Sequence, residues 1–365
     1  MPGVYISYPF CAQKCTYCNF ASGVFSRDLE HAYADALVRE ISEYQWEWQP
    51  ETVYIGGGTP SQLEPAVLAR ICAAVPRLPW KEATLEAAPG TISAEKVAAW
   101  AEAGINRVSL GVQSFSSREL ARTGRKHNAE VVARDIEILA SVGITNISLD
   151  LIAGLPGQTV ASWRESLDWI KRLNPPHVSV YMLEIDEDSR LGSEVLLNGK
   201  RYGAPEVPSD DAITEFYEIA VEELARMGVR RYEISNFARP GFESLHNLKY
   251  WRLSPYLGFG ADAHSFNGEW RWQNVEGPDD YVSCIQGGRS PRCATTRANL
   301  LEEKFFVGLR LMEGIRPEPS EWSRFREPIQ RLVAEGWLEQ NGSLLRLTNR
   351  GVLISNEIFG EFLAA

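Results

Sequence analysis

Cys11, Cys15 and Cys18 crowd into the stretch "PFCAQKCTYCNF" (residues 9–20), and the position two after the third cysteine is Phe20. An iron–sulfur cluster normally takes four thiolates, and a structural zinc ion takes four ligands. Three thiolates on a cubane leave one iron with an open coordination site, where a small chelating molecule can bind. The spacing C-x3-C-x2-C lets three thiolates converge from one loop. Zinc is the alternative, but it needs a fourth ligand. The only nearby imidazole, His31, falls in a segment of helical pattern, and the other histidines stand at 127, 177, 246 and 264. A disulfide with a spare thiol does not suit a reducing compartment.

The remaining chemistry-bearing residues also sit in loops, and those loops follow strand-like runs. The runs are "VYISY" (4–8), "TVYIGG" (52–57), "ATLEAA" (83–88), "RVSLGV" (107–112), "NISLDLI" (146–152) and "HVSVYML" (177–183). Helical patterns at 27–45, 61–75, 93–103, 128–142, 160–172 and 209–227 separate or follow them. This alternation predicts parallel βα units. Six repeats without a seventh and eighth predict an incomplete barrel, although a doubly wound sheet alternates in the same way. In both architectures ligands bind at the carboxyl edge of the strands. The cysteine loop, "GGGTP", "EAAPG", "GVQSF" and "DLIAGLPGQT" all belong to that edge.

Beyond the sixth unit the texture changes. Residues 1–230 are expected to form the partial barrel and 231–297 a loop-rich, aromatic bridging segment containing "HNLKYW". Residues 298–365 are expected to form a small winged-helix-like domain, from a helix over "EPIQRLVAEGWLE", an Asn-Gly turn, a short strand and a last helix.

Composition narrows the function classes. The 365-residue chain is 44% hydrophobic, ample for a core, and carries a formal charge of −11, which disfavours nucleic-acid binding. The only basic stretch of note is "RTGRKH" (122–127), better suited to an anionic cofactor. The candidate recognition helix of the C-terminal domain has three Glu against one Arg. No apolar run is long enough to span a membrane, and the N-terminus lacks the layout of a signal peptide. Six scattered and clustered cysteines do not make a secreted disulfide framework. A cytoplasmic protein with reduced thiols is expected, with peripheral membrane contact left open.

The cysteine motif, with Tyr17 before its third cysteine, resembles the signature of radical S-adenosylmethionine (SAM) proteins. There a [4Fe–4S] cluster chelates the methionine moiety of SAM at its open iron. "YIGGGTPSQL" (54–63), "GVQSF" (111–115), "DLIAGLPGQT" (150–159) and "HNLKYW" (246–251) narrow this to the oxygen-independent coproporphyrinogen oxidase family, best matching its HemW branch of proposed haem chaperones. The resemblance covers nearly the whole chain. It implies that Cys11, Cys15 and Cys18 hold the cluster, which an electron donor reduces. It implies that Tyr5, Tyr17, Gly57, Gly58, Thr59, Glu86, Gln113, Arg125 and Asp150 bind SAM. His246, beside Tyr250 and Trp251, is the implied haem ligand, with His264 a second candidate, and client haemoproteins are the implied partners.

The alternative within the family is a coproporphyrinogen dehydrogenase. Those enzymes resemble C-x3-C-x2-C-x-C, whereas this chain has Phe20 at the last position. They also carry an arm before the cluster, where this chain has ten residues ahead of Cys11. Other departures from the family pattern are Ser7 for His, Tyr8 for Ile, Ala88 for Asn and Asp262 for Gly. Ser7 removes an imidazole that substrate proton transfer could use.

Overall fold

The computed structural model describes residues 2–76 and 79–363. Six strands, β1 (Gly3–Tyr8), β2 (Thr52–Gly57), β3 (Glu82–Ala87), β4 (Arg107–Gln113), β5 (Asn146–Ala153) and β6 (His177–Met182), pair in parallel and in sequence order. Most of the long helices that follow them begin where side chains can cap them; Pro65–Ala74, which starts at a proline, does not. Ser26, Ser93, Asn128, Thr159 and Ser209 each accept a backbone N–H in the first turn. Such caps are worth about 1 kcal/mol each.

Residue alternation along the strands explains why the sheet curls around a polar interior. Val4, Ile6, Val53, Ile55, Leu85, Val108, Leu110, Leu149, Leu151, Val178 and Val180 are buried in one core with helix residues such as Leu37, Leu68, Trp100 and Leu139. Each contributes roughly 1.5–3 kcal/mol by leaving water. The alternate positions are Tyr5, Ser7, Tyr54, Glu86, Arg107, Ser109, Ser148, Asp150, His177 and Ser179. A doubly wound parallel sheet is apolar on both faces. Here one face is polar, as an open half-barrel requires.

The sheet does not close. Its order continues outward from β6 to β8 (Asn236–Ala238) and β7 (Arg230–Arg231). Beyond β1 it runs to β9 (Tyr256–Phe259), β10 (His264–Phe266), β11 (Trp270–Asn274) and β12 (Arg292–Arg297). The segment 231–297 is therefore not a loop-rich bridge. It extends the barrel's own sheet on both sides, with β9 parallel to β1 and β8 antiparallel to β6. These strands are short, and the two that join the barrel, β9 and β8, pair with β1 and β6 far away in sequence, so local pattern conceals the extension. Helices Ser117–Arg122, Arg190–Leu196 and Leu245–Trp251 are likewise too short to show a period.

The C-terminal domain contains helices Leu300–Phe306, Pro319–Arg324 and Arg326–Ala334, followed by the hairpin β13 (Leu338–Asn341) and β14 (Leu344–Leu347) and two short helices. Gly342 opens the two-residue turn at φ +59°, a conformation that suits glycine. Phe305, Phe325 and Phe362 pack with ring centroids 4.5–5.4 Å apart, and they belong to one hydrophobic core with the barrel. Among the described residues no helix is long and apolar enough to cross a membrane.

Candidate functional site

The cysteine loop leaves the carboxyl end of β1 and is tied down at several points. Cys11 N–H donates to Gly23 O (2.8 Å), and Gly23 N–H returns to Pro9 O (2.9 Å). Asn19 Nδ2 donates to Asp186 (2.8 Å), and Leu191 N–H to Thr16 O (2.8 Å). All three thiols are free and half-buried. Burial pushes the Cys11 thiol up; Thr59 and Ser22 oppose this by hydrogen bonding, while Cys18 and Cys15 add to it. Arg125 interacts with Cys15 and donates to Tyr17 Oη (3.1 Å), placing a fixed positive charge beside the thiols.

This donor set fits a cluster better than zinc. Zinc gathers every ligand at about 2.0–2.3 Å from one centre, whereas a cubane takes each thiolate on a different iron. Among the described residues no three His, Cys, Asp or Glu side chains are gathered to hold a single ion. Arg125 Nε is buried without a partner, as expected of a group waiting for a bound anion.

The glycine loop is zipped to the cysteine loop. Gly58 N–H donates to Tyr8 O (2.7 Å), and Thr59 N–H to Phe10 O (2.9 Å). A Cβ on Gly58 would lie 2.4 Å from Phe10 O, so this glycine is required by the cysteine loop itself. Gly57 sits at φ +114°. Gly56, which sequence reasoning passed over, borders the polar interior: a Cβ there would lie 3.0 Å from the Glu86 carboxylate.

Below these loops Glu86 accepts from Tyr54 Oη (2.8 Å) and from Gly57 N–H (3.0 Å). Burial pushes its carboxyl above the ordinary range, and the two hydrogen bonds oppose that. Asp150 accepts from Ser109 (2.9 Å), Ser148 (2.9 Å) and Ser179 (2.7 Å). Its carboxyl is also raised by burial. Gln113 ends β4 at φ +68°, a strained conformation for a non-glycine residue and characteristic of functional sites. Tyr5 stacks on Tyr54 with centroids 6.1 Å apart. The fold thus brings Cys11, Cys15, Cys18, Tyr17, Gly57, Gly58, Thr59, Glu86, Gln113, Arg125 and Asp150 together on one curved face, toward the carboxyl ends of its strands, with Tyr5 beneath them in the layer of Tyr54. Tyr54, Gly56 and the three serines were missed, although their polar alternation with apolar neighbours in parallel strands was the available signal.

His246 lies apart from these residues. It lies at the opposite edge of the sheet, against Thr52 at the start of β2. Its Nδ1 pairs with Thr52 Oγ1 (2.9 Å) and its Nε2 with Tyr250 Oη (2.8 Å). It is 1% exposed, and burial, with Lys249 and Arg107 adding, pushes its pKa down to about 3. Both ring nitrogens are engaged by side chains of the protein. The Trp251 ring is covered by the Arg310 guanidinium, 4.4 Å from its centroid. His264 is exposed on β10. Asp262, in place of the family glycine, adopts φ +58°, a region that Asp tolerates better than most residues.

The model for the Radical SAM superfamily matches residues 5–170, and that for the HemN C-terminal domain matches 295–354. Heme chaperone HemW of Bacillus subtilis is 35% identical over 381 residues, spanning 100% of this chain and 99% of its own. Heme chaperone HemW of Lactococcus lactis is 33% identical, covering 98% and 96%. Heme chaperone HemW of Escherichia coli is also 33% identical, covering 99% and 98%.

The chain belongs to the HemW family.

Membership of this radical SAM family implies a [4Fe–4S] cluster and SAM. Among solved structures, coproporphyrinogen III oxidase (HemN) of Escherichia coli superposes with a TM-score of 0.86 at 22% identity, covering 100% of this chain and 90% of that one. That likeness establishes the shared open-barrel fold of HemW and HemN.

Proposed function

We propose that this chain is a cytoplasmic haem chaperone of the HemW kind, which binds haem and passes it to client haemoproteins. The observation that carries this reading is the likeness, from end to end, to several proteins curated under that name. Two residues of this chain support it. Phe20, where the dehydrogenases have a further cysteine, is 62% exposed and supplies no thiolate. Ser7 supplies no imidazole for proton transfer, and its carbonyl is taken by Tyr33 Oη (2.9 Å).

Within this reading Cys11, Cys15 and Cys18 hold the cluster. The backbone around Gly57 to Thr59, with Tyr5, Tyr17, Glu86, Gln113, Arg125 and Asp150, binds SAM. When bound, the pair supplies one-electron reductive chemistry at a sulfonium, fed by an external electron donor. Glu86, raised by burial, is suited to accept hydrogen bonds from a cationic or hydroxyl group. Asp150 is held in one orientation by its three serines. Arg125 offers a permanent cation to a carboxylate beside the cysteine loop.

The test is haem transfer. Cluster-reconstituted protein loaded with one equivalent of haem is mixed with an apo-haemoprotein, and the acceptor's absorption bands are followed. Transfer faster than from free haem in buffer is expected. Failure of the chain to bind haem at all would refute the proposal.

A further inference from the structure

We propose that His246 is a positioning residue for SAM: through the ring of Tyr54 it holds Glu86 in the orientation that receives the cofactor. This rests on the reading of Glu86 as a SAM ligand, and it gives the HNLKYW segment a task at the end of the barrel where it lies.

The helix Leu245–Trp251 closes the amino-terminal end of the barrel. Glu82, the first residue of β3, accepts from Leu245 N–H (2.9 Å), His246 N–H (2.9 Å) and Ser244 Oγ (3.3 Å). Lys249 Nζ pairs with Glu51 (2.6 Å) just before β2. So fixed, the helix presents the imidazole to Thr52 and to the Tyr54 ring, 5.3 Å away between centroids at an interplanar angle of 32°. The Tyr54 hydroxyl donates to one oxygen of Glu86 (2.8 Å), and the other oxygen accepts Gly57 N–H (3.0 Å). One continuous line of contacts runs from the HNLKYW helix through β2 and β3 to the glycine loop, and that loop is zipped to the cysteines.

The residue type matters. Two hydrogen bonds, to Thr52 and Tyr250, fix the plane of the imidazole, so Tyr54 packs on a surface that cannot swivel. Phenylalanine fills the same volume without that lock. Glu86 in turn depends on Tyr54, because a carboxylate away from water is held only by its donors, and loss of one weakens its placement.

The test uses full-length, cluster-reconstituted protein and reads SAM affinity by equilibrium dialysis, together with the change in the cluster's EPR signal on adding SAM. His246→Phe and Tyr54→Phe are each expected to weaken SAM binding about five- to tenfold, the scale of one hydrogen bond. The double variant should be no worse than twofold beyond the weaker single, because both act along one line. Lys249→Met removes an anchor of the same helix, the ion pair with Glu51. It should lower the melting temperature and leave SAM affinity unchanged.

Unchanged affinity in His246→Phe overturns the proposal, as do multiplying losses in the double variant. So does a loss in Lys249→Met equal to that in His246→Phe, which would mean general loosening. Glu86→Gln separates the two levels. If it leaves SAM affinity intact, the ligand assignment falls and the positioning with it. If it weakens binding while His246→Phe does not, only the positioning falls.

Discussion

At the scale of single residues, the three cysteines and Gly58 carry the sharpest expectations. Replacing Cys11, Cys15 or Cys18 by Ala should abolish cluster assembly, read as iron and sulfide per chain, since no further cysteine stands at Phe20. Replacing Cys72, which is 2% exposed in the helix Pro65–Ala74, should cost stability and leave iron content unchanged. Stoichiometric iron in the triple alanine variant would contradict the assignment. Gly58→Ala should reduce cluster occupancy as well as SAM binding, because its Cβ would meet Phe10 O, next to Cys11. A variant with full iron and normal SAM affinity would contradict the zipped loops. The packing of this glycine against Phe10 adds a second demand to the one that the SAM motif implies. Three successive glycines are indistinguishable until the chain folds, and only then does Gly56 border Glu86 while Gly58 backs onto the cysteine loop. His246 shows a related limit: an imidazole beside Tyr and Trp suggests a haem site, whereas its burial against Thr52 has no local signature.

At the scale of elements, buried histidines tie strands to helices and set an acid sensitivity. His127, just ahead of the helix Ala129–Ser141, bonds Val112 O at the end of β4 (3.0 Å). Burial, with Arg125 adding, pushes its pKa down to about 4. The unfolded chain protonates this group near pH 6.5, and the folded chain refuses the proton until about pH 4. Its contribution is therefore whole above about pH 6.5 and is lost as pH falls through that window. The unfolding free energy of wild type minus that of His127→Phe should narrow by about 1 kcal/mol per pH unit between about pH 6 and 4. A difference that does not change with pH would contradict a neutral buried imidazole. Glu51 acts in a lower window. Burial raises its carboxyl, but Lys249 and Lys81 outweigh this and bring it to about 2. Its stabilising pairs are present above about pH 4.5 and are lost toward pH 2. The elements of the barrel were largely legible, because apolar alternation and capping Ser, Asn and Thr are local. The extension β7 to β12 was not, since its strands are short and the two that attach it to the barrel, β9 and β8, are defined by distant partners in β1 and β6. The polar face of the barrel was written in the alternation all along, as Ser, Asp, Glu and Arg between Val, Leu and Ile.

At the scale of the whole molecule, one curved sheet joins two kinds of site that the sequence listed separately. The cysteine loop, glycine loop, Glu86 and Asp150 occupy its carboxyl edge, and the HNLKYW helix closes the other. Fold and cofactor chemistry followed from motifs that sit after strands, whereas the choice between carrier and decarboxylase rests on the end-to-end likeness to HemW proteins, with Phe20 and Ser7 in support. Restoring a thiol by Phe20→Cys is accordingly expected to give no decarboxylation of coproporphyrinogen III, because position 7 still lacks its imidazole. Product formation by that variant would show that the thiol alone decides the chemistry. The most direct test of the haem-carrier function is a parallel anaerobic assay of the wild-type, cluster-reconstituted chain with haem in one vessel and coproporphyrinogen III, SAM and a reductant in the other. Stoichiometric haem binding with no decarboxylated product is the expected result; sustained formation of protoporphyrinogen without retention of haem would contradict it.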